Sequence, residues 1–558
     1  KGFIVFAFDP VGQGERLEYF DTLSGKSAIG GPVEEHSYPG AQAIITGRGQ
    51  ARYMIWDGIR AVDYLFTREE VDTQRIGITG RSGGGTQTAY IAAFDERIKA
   101  AAPECYITNF KRLFESIGPQ DAEQNLGDAV LQGIDHADLL LVRAPKPALM
   151  ITTTRDFFSI QGARETAREV SRMYKAYQKD DYFHMVEDDA AHASTVKNRE
   201  AMYAFFQKYL DNPGDGTDEV TDSLPAVDLQ VTSTGQIATA MKSETVFSLN
   251  GKYAEQLEQT LQRSRQSNIR YREQVIRAAM RLSGFQAPKQ EFNPVFTGRL
   301  QKEGYRVEKY FVRGEGDYVI PYLLMKPVQP SGKFLLYLHP MGKAAASAEG
   351  GEMEWFVKNG FNVIAPDMVG IGEMGPGAFQ GDSYIKGVSY NVWFASMLVG
   401  RSIVGLRSAD VIRLAHLIQK EYNAKEIFAL ARKEMTPVLL HAAAFDSTLK
   451  HIALIEPVTS YRSIVMNRFY RPELIHGLVP GALMAYDLPD LAASLAPRRL
   501  WIMGSTDGAG KPSPDESEKD YSIVREVYEH RKAAAQLRIV PDFPGKNYNH
   551  YREWIRLQ

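Results

Sequence analysis

The chain repeats itself. Gly2-Phe3-Ile4-Val5-Phe6-Ala7-Phe8-Asp9-Pro10-Val11-Gly12-Gln13-Gly14-Glu15 recurs as Gly360-Phe361-Asn362-Val363-Ile364-Ala365-Pro366-Asp367-Met368-Val369-Gly370-Ile371-Gly372-Glu373. A second block, Arg75 to Ile98, aligns without a gap on Glu426 to Leu449. A third, Ala144-Pro145-Lys146 to Asp156, is matched by Ala496-Pro497-Arg498 to Asp507 with one deletion. Three blocks in one order at near-constant spacing read as a tandem duplication. The 558 residues are therefore read as one fold written twice, not as the three or four unrelated domains that such a length suggests.

Each copy alternates short apolar runs with longer helical stretches, the pattern of a parallel sheet with crossover helices. In the first copy the expected strands are Phe3–Phe8, Arg75–Thr79, Ala100–Pro103 and Ala148–Thr153. A helix is expected over Ala51–Phe66, where Ile55, Ile59, Val62 and Leu65 recur at helical spacing. The second copy adds a strand at Lys333–Pro340 and an edge-like stretch around Tyr305–Lys326. By comparison the first copy lacks roughly 60–70 residues, some three strands, and Lys1 opens directly into a strand-like run. Turn residues at Asp211–Asp218 mark a boundary, and Tyr253–Ser283 reads as a helical pair. The expected organisation is a first domain over 1–210, a linker and helical connector over 211–290, and a second domain over 291–558. Both domains are of α/β class with mostly parallel, doubly wound sheets.

Composition excludes several functions. Basic and acidic side chains number 65 and 68, a net charge of −3, so no field favours nucleic acid or an anionic membrane. No apolar run of membrane-spanning length occurs. Cys105 is the only cysteine, which excludes an intrachain disulfide and a cysteine-based metal site.

The chemistry-bearing motif is Gly80-Arg81-Ser82-Gly83-Gly84-Gly85-Thr86, a G-x-S-x-G between the expected strand and the helical segment Thr86–Phe94. A serine on a sharp strand-to-helix turn needs glycines that let backbones approach. The turn lifts Oγ above the sheet, and the Gly83 N–H at the helix start can hold an oxyanion. A phosphate loop is the rival, but no lysine lies between Gly80 and Thr86, and Leu17 stands where Gly12-Gln13-Gly14 would need its third glycine. The serine requires an acid and then a histidine downstream. Asp156 follows the strand Ala148–Thr153, at the edge where open parallel sheets build sites, and His192 follows in the loop Val186–Ala193. His184 is the rival base, and Glu104, after another strand end, the alternative acid.

These residues resemble the α/β-hydrolases of the acetyl xylan esterase-like group. The resemblance lies in the elbow Gly80–Tyr90, in Ala51-Arg52-Tyr53-Met54-Ile55-Trp56-Asp57-Gly58, in Gly118-Pro119-Gln120-Asp121-Ala122-Glu123-Gln124-Asn125, and in Thr154-Arg155-Asp156-Phe157-Phe158. It spans nearly all of Lys1–Leu210 and more loosely the second copy. It implies hydrolysis of small acyl esters on plant polysaccharides such as xylan or pectin, with no cofactor and no metal, by a secreted or periplasmic bacterial enzyme. Related glucuronoyl esterases carry Arg directly after the nucleophile. Here that position is Gly83 and the arginine, Arg81, precedes the serine, which weakens a uronate-ester reading. A prolyl oligopeptidase-type peptidase shares the elbow and triad order but brings a propeller, for which no run of repeated short strands exists. A non-enzymatic carbohydrate-binding pseudo-hydrolase is the remaining alternative.

The second copy is a natural comparison. Ala431-Arg432-Lys433-Glu434-Met435 replaces the elbow, so Lys433 stands where Ser82 does and both glycines are gone. Asp507 aligns with Asp156, and His550 lies near the position of His192. The expectation is a degenerate site whose Lys433 cannot perform acyl transfer by the serine route, behind a loop His339-Pro340-Met341-Gly342 that resembles an oxyanion loop. The equivalent stretch of the first copy is expected to precede Lys1, so its second oxyanion donor is expected either from that stretch or from a substitute in the second domain.

Overall fold

Side chains of the strand Ala148–Thr153 alternate between two apolar layers. Ala148 and Met150 join Tyr90, Tyr106, Phe110, Val170 and Tyr174 on one face, while Leu149 and Ile151 join Phe205, Phe206 and Tyr209 on the other. A strand buried on both faces belongs inside a parallel sheet covered by helices. The computed structural model, which describes residues 1–267, 271–289, 291–375, 383–424, 426–541, 543 and 548–556, has that arrangement. Four parallel strands lie in the order Gly77–Arg81, Ala100–Glu104, Ala148–Thr153, Phe183–Asp188. Helix Ile160–Ala176 supplies Ala163, Ala167, Val170 and Tyr174 to one layer, and helix Val196–Tyr209 supplies the phenylalanines of the other. Helix Gln50–Leu65 adds Val62 to a third cluster with Ile76, Ala92, Ile98 and Ala101.

Chain contacts divide the protein into two units whose boundaries differ from those expected at 210 and 290. The first comprises Lys1–Ala41, Gly49–Ser248 and Phe379–Gly400, the second Gln42–Arg48, Leu249–Ala378 and Arg401–Gln558. The stretch after residue 210 therefore belongs with the first unit up to Ser248. Beyond it run two helices, Val246–Ser267 and Tyr271–Leu282, where the helical pair was expected; 268–270 lie outside the described residues. In the second unit Arg265 on the first of these helices meets the Asp490 carboxylate at 2.8 Å.

One expected strand is absent. Phe3–Phe8 forms no strand, and Ile4 and Val5 are exposed. A strand needs a ladder partner, and Gly77–Arg81 is an edge strand with nothing beyond it among the described residues. The equivalent run in the second unit, Asn362–Pro366, has both neighbours: Phe334–Leu338 in parallel and Val319–Pro327 antiparallel. That unit's nine strands run Leu537–Val540, Arg499–Met503, His451–Ile455, Ile427–Arg432, Phe334–Leu338, Asn362–Pro366, Val319–Pro327, Tyr305–Arg313, Val295–Lys302. The chain order reverses around Phe334–Leu338, so the crevice typical of open α/β sheets opens at its C-terminal end, beside His339 and Lys433.

Local geometry recurs between the units. Gly12 and Gly370 sit at φ 82° and 78°, Gly14 and Gly372 at 53° and 57°. Asp9 accepts the Glu15 N–H at 2.8 Å and Asp367 the Glu373 N–H at 2.9 Å. Asp135 and Asp487 each close a capping box with the aspartate three residues on, and each also accepts a distant backbone N–H, of Phe110 and Tyr461 respectively.

The elbow depends on bare Cα atoms. A Cβ on Gly80 would lie 2.7 Å from the Gly84 carbonyl oxygen, and one on Gly85 only 2.3 Å from the Glu104 carbonyl oxygen. Both obstacles are backbone and cannot swing away. Gly84, by contrast, has open space around it. Gly85→Ala is expected to destabilise the first unit by about 1–3 kcal/mol through overpacking. Gly84→Ala should be neutral, or stabilising by up to about 1 kcal/mol through helix propensity. Denaturant unfolding of the two variants measures the contrast.

Candidate active site

The strand Gly77–Arg81 passes to the helix Gly83–Phe94 through one residue. Ser82 holds φ 59° and ψ −120°, a conformation that costs a non-glycine residue of order 1–3 kcal/mol and persists only where its surroundings enforce it. Its N–H donates to the Glu104 carbonyl at 3.0 Å and its carbonyl accepts from Thr86 at 2.9 Å. Helix geometry leaves the first N–H groups after Ser82 without intrahelical partners, so Gly83 N–H is placed as an anion donor.

Asp156 follows the C-terminal end of Ala148–Thr153. Its carboxylate accepts from Phe158 N–H at 3.1 Å and from the Thr153 hydroxyl at 3.2 Å, and meets His192 Nδ1 at 2.9 Å through both oxygens. The acid is buried, while the His192 ring keeps 22% of its surface exposed. Phe157 and Phe158 pack on that ring with centroids 4.5 and 6.3 Å away. With Nδ1–H donated to the carboxylate, Nε2 is the nitrogen left to take a proton.

The structure thus joins Asp156 to His192, and both Ser82 and His192 border one short segment, Glu104–Cys105. Ser82 N–H donates to the Glu104 carbonyl, and the Cys105 thiol lies 3.8 Å from the Ala193 carbonyl. Ser82 Oγ makes no hydrogen bond to His192 among the described residues, as is common before substrate draws such groups together. Glu104 does not hold the histidine. Burial raises its carboxyl above the ordinary range, opposed by the Ser194 hydroxyl and by Arg81. His184 pairs with Leu149 near the start of its strand, away from the end that carries Asp156.

Cys105 adopts φ 52°, with its Sγ in one group with the Asp156 and His192 ligand atoms, all within 4.8 Å of one another. Burial, and then the Asp156 carboxylate, pushes its thiol up to about 12. A second group has no counterpart in the motif reading. His36 Nδ1 lies 2.8 Å from Asp121 Oδ2, and Glu123 completes a buried trio within 4.8 Å. Asp121 and Glu123 belong to a motif visible in the sequence, but His36 lies 85 positions away, so no spacing signal joins it to them.

In the second unit Lys433 holds φ 48° at the end of Ile427–Arg432, and Glu456 holds φ 52° where the first unit has Cys105. Lacking glycines, this turn passes through a 3-10 segment, Lys433–Met435, before the helix Thr436–Phe445. Arg432 is paired with Glu352 and Glu456 at 3.0 Å each. Burial, then Arg432, lowers the His339 imidazole below its ordinary value. Asp507 accepts the Lys511 N–H, and His550 packs on Phe543 at 6.1 Å. Among the described residues Asp507 and His550 are not hydrogen-bonded to each other.

Residues 46–213 match the model of the prolyl oligopeptidase family. YtaP of Bacillus subtilis (strain 168), described as a hydrolase, is 25% identical over 178 residues, which are 30% of this chain and 57% of that protein. The match therefore spans little more than half of that relative. Similar solved structures include a Bacteroides fragilis NCTC 9343 protein assigned as an acetyl xylan esterase, 18% identical with TM-score 0.41, covering 51% of this chain and 86% of that one. The glucuronoyl esterase of Solibacter usitatus is 13% identical with TM-score 0.37, covering 51% and 90%.

The raised Cys105 thiol gives a direct check. At mildly alkaline pH an alkylating reagent should leave Cys105 unmodified in the folded chain and modify it fully in denaturant, because only the thiolate reacts. Mass spectrometry reads the adduct, and stoichiometric alkylation of the folded chain would contradict the assignment.

Proposed function

We propose that the first unit is a serine carboxylesterase that removes small acyl groups, acetyl foremost, from plant polysaccharides such as xylan or pectin. The observation that carries this reading is a serine held at φ 59° on the same sheet edge as a half-buried Asp156–His192 pair. Ser82 Oγ attacks the ester carbonyl while His192 Nε2 takes its proton. The tetrahedral oxyanion is received by Gly83 N–H. His192 returns the proton to the departing sugar hydroxyl, leaving an acyl-serine. Water, deprotonated by the same histidine, then releases the carboxylic acid and restores Ser82. Asp156 holds the imidazole tautomer and balances the charge that His192 gains.

Two further readings belong to the same proposal. The chain is a tandem of one intact and one degenerate hydrolase domain, supported by the paired φ values and capping boxes of the two units. Its location is secreted or periplasmic, supported by the resemblance alone; no helix among the described residues is long and apolar enough to cross a membrane. A uronate ester is a poorer substrate than a neutral acetyl ester. Glu123 Oε1 lies 2.8 Å from where a Cβ on Gly83 would stand, so a carboxyl group borders the position after the nucleophile. A peptidase reading has one observation in its favour, the family model matched over 46–213.

Acetate release from acetylated xylan tests the proposal. Ser82→Ala should fall to background with unchanged circular dichroism, and Asp156→Asn should lose about 10⁴-fold in kcat. Lys433→Ala should retain wild-type turnover. Cleavage of a proline peptide without acetate release would favour the peptidase, and a large loss in Lys433→Ala would revive the second site.

A further inference from the structure

We propose that His36, Asp121 and Glu123 form a binding site for a divalent transition-metal ion beside the nucleophile elbow. The three side chains come from two stretches of the first unit and are almost wholly buried, at 1%, 3% and 3% exposure. Each presents one ligand atom, and these atoms lie within 4.8 Å of one another. The His36 Nδ1 to Asp121 Oδ2 distance of 2.8 Å is a direct hydrogen bond; opening it to the roughly 3.4 Å between tetrahedral ligands placed about 2.1 Å from one ion takes a shift of about 0.6 Å. Imidazole nitrogen with two carboxylate oxygens suits Zn²⁺ or Mn²⁺ better than the all-oxygen preference of Ca²⁺.

The surroundings are those of a built site. The buried His36 Nε2 makes no hydrogen bond of ordinary geometry. Gly12 carries no Cβ, and one would lie 2.9 Å from the His36 ring. The loop that carries the carboxylates is tied before any ligand arrives. Asp121 Oδ1 accepts the Glu123 N–H at 3.1 Å, and Asn125 Nδ2 donates to the Gln120 and Asp121 carbonyls at 2.9 and 2.6 Å.

A separate observation points to a missing ligand. Gln50 is fully buried, yet neither its amide oxygen nor its amide nitrogen has a hydrogen-bond partner. It packs against Gly40 beside Ala122, the residue between the two carboxylates: a Cβ on Gly40 would lie 2.6 Å from Ala122 Cβ and 3.7 Å from Gln50 Oε1. A buried amide with both ends unpaired calls for water or a bound group, and a water held on the ion would donate to Gln50 Oε1. The ion is a positioning element. It fixes the 120–125 loop against Gly83, through Glu123 Oε1, and its binding does not depend on ester hydrolysis.

The full chain, stripped with chelator, is titrated with Zn²⁺ and with Mn²⁺ by calorimetry while thermal unfolding is followed in parallel. The expected result is one equivalent bound in the micromolar range or tighter, with a raised Tm. Glu123→Gln and Asp121→Asn should each weaken binding at least about 10-fold, whereas Asp156→Asn should not. Absence of uptake overturns the proposal. So does uptake that survives the first two variants and is lost in Asp156→Asn, which places the ion on Cys105, Asp156 and His192. Should the isosteric variants misfold, the Co²⁺-loaded wild-type chain decides: d–d bands without thiolate charge transfer support the site, and a thiolate band overturns it.

Discussion

The turn that carries Ser82 at the candidate active site depends on how closely two backbones approach. The helix Gly83–Phe94 can press on the end of Ala100–Glu104 only because Gly85 has no side chain, and the turn can close only because Gly80 has none. That packing holds Ser82 at φ 59° and leaves its hydroxyl at the sheet's edge. The Glu104 carbonyl that receives Ser82 N–H is the same atom that Gly85 must clear. Chain strain, helix placement and the position of Ser82 are one constraint, offset by the two-sided apolar core around Met150 and Ile151.

The second unit offers a turn without that constraint. Lys433 has a left-handed backbone, φ 48°, after the strand Ile427–Arg432. Without glycines, a short 3-10 segment intervenes before the helix. At this turn Arg432 is ion-paired with Glu352 and Glu456.

Much of this was legible in the residues. Ala148–Thr153 is a strand over the expected span, because an apolar run between turn signals has few alternatives, and Gln50–Leu65 is shifted by one residue from its expected bounds. The Asp156–His192 pair follows from the serine's need for a downstream acid and base. Phe3–Phe8 misled because strand composition is only half of a strand; the other half is a partner, and none is present beside it among the described residues. The membership of Phe379–Gly400 in the first unit and of Gln42–Arg48 in the second was likewise invisible, since a local pattern does not say which core a segment joins. His36 escaped notice for the same reason: its carboxylate partner lies 85 positions away, and only the folded chain brings them together.

The central claim is that Ser82 is an activated nucleophile. The most direct test is to treat the full chain with a fluorophosphonate probe and locate the adduct by peptide mass spectrometry, with Asp156→Asn treated in parallel. A single adduct on Ser82, formed far more slowly in the variant, is the expected result. An unlabelled chain, or a label carried elsewhere, would contradict it.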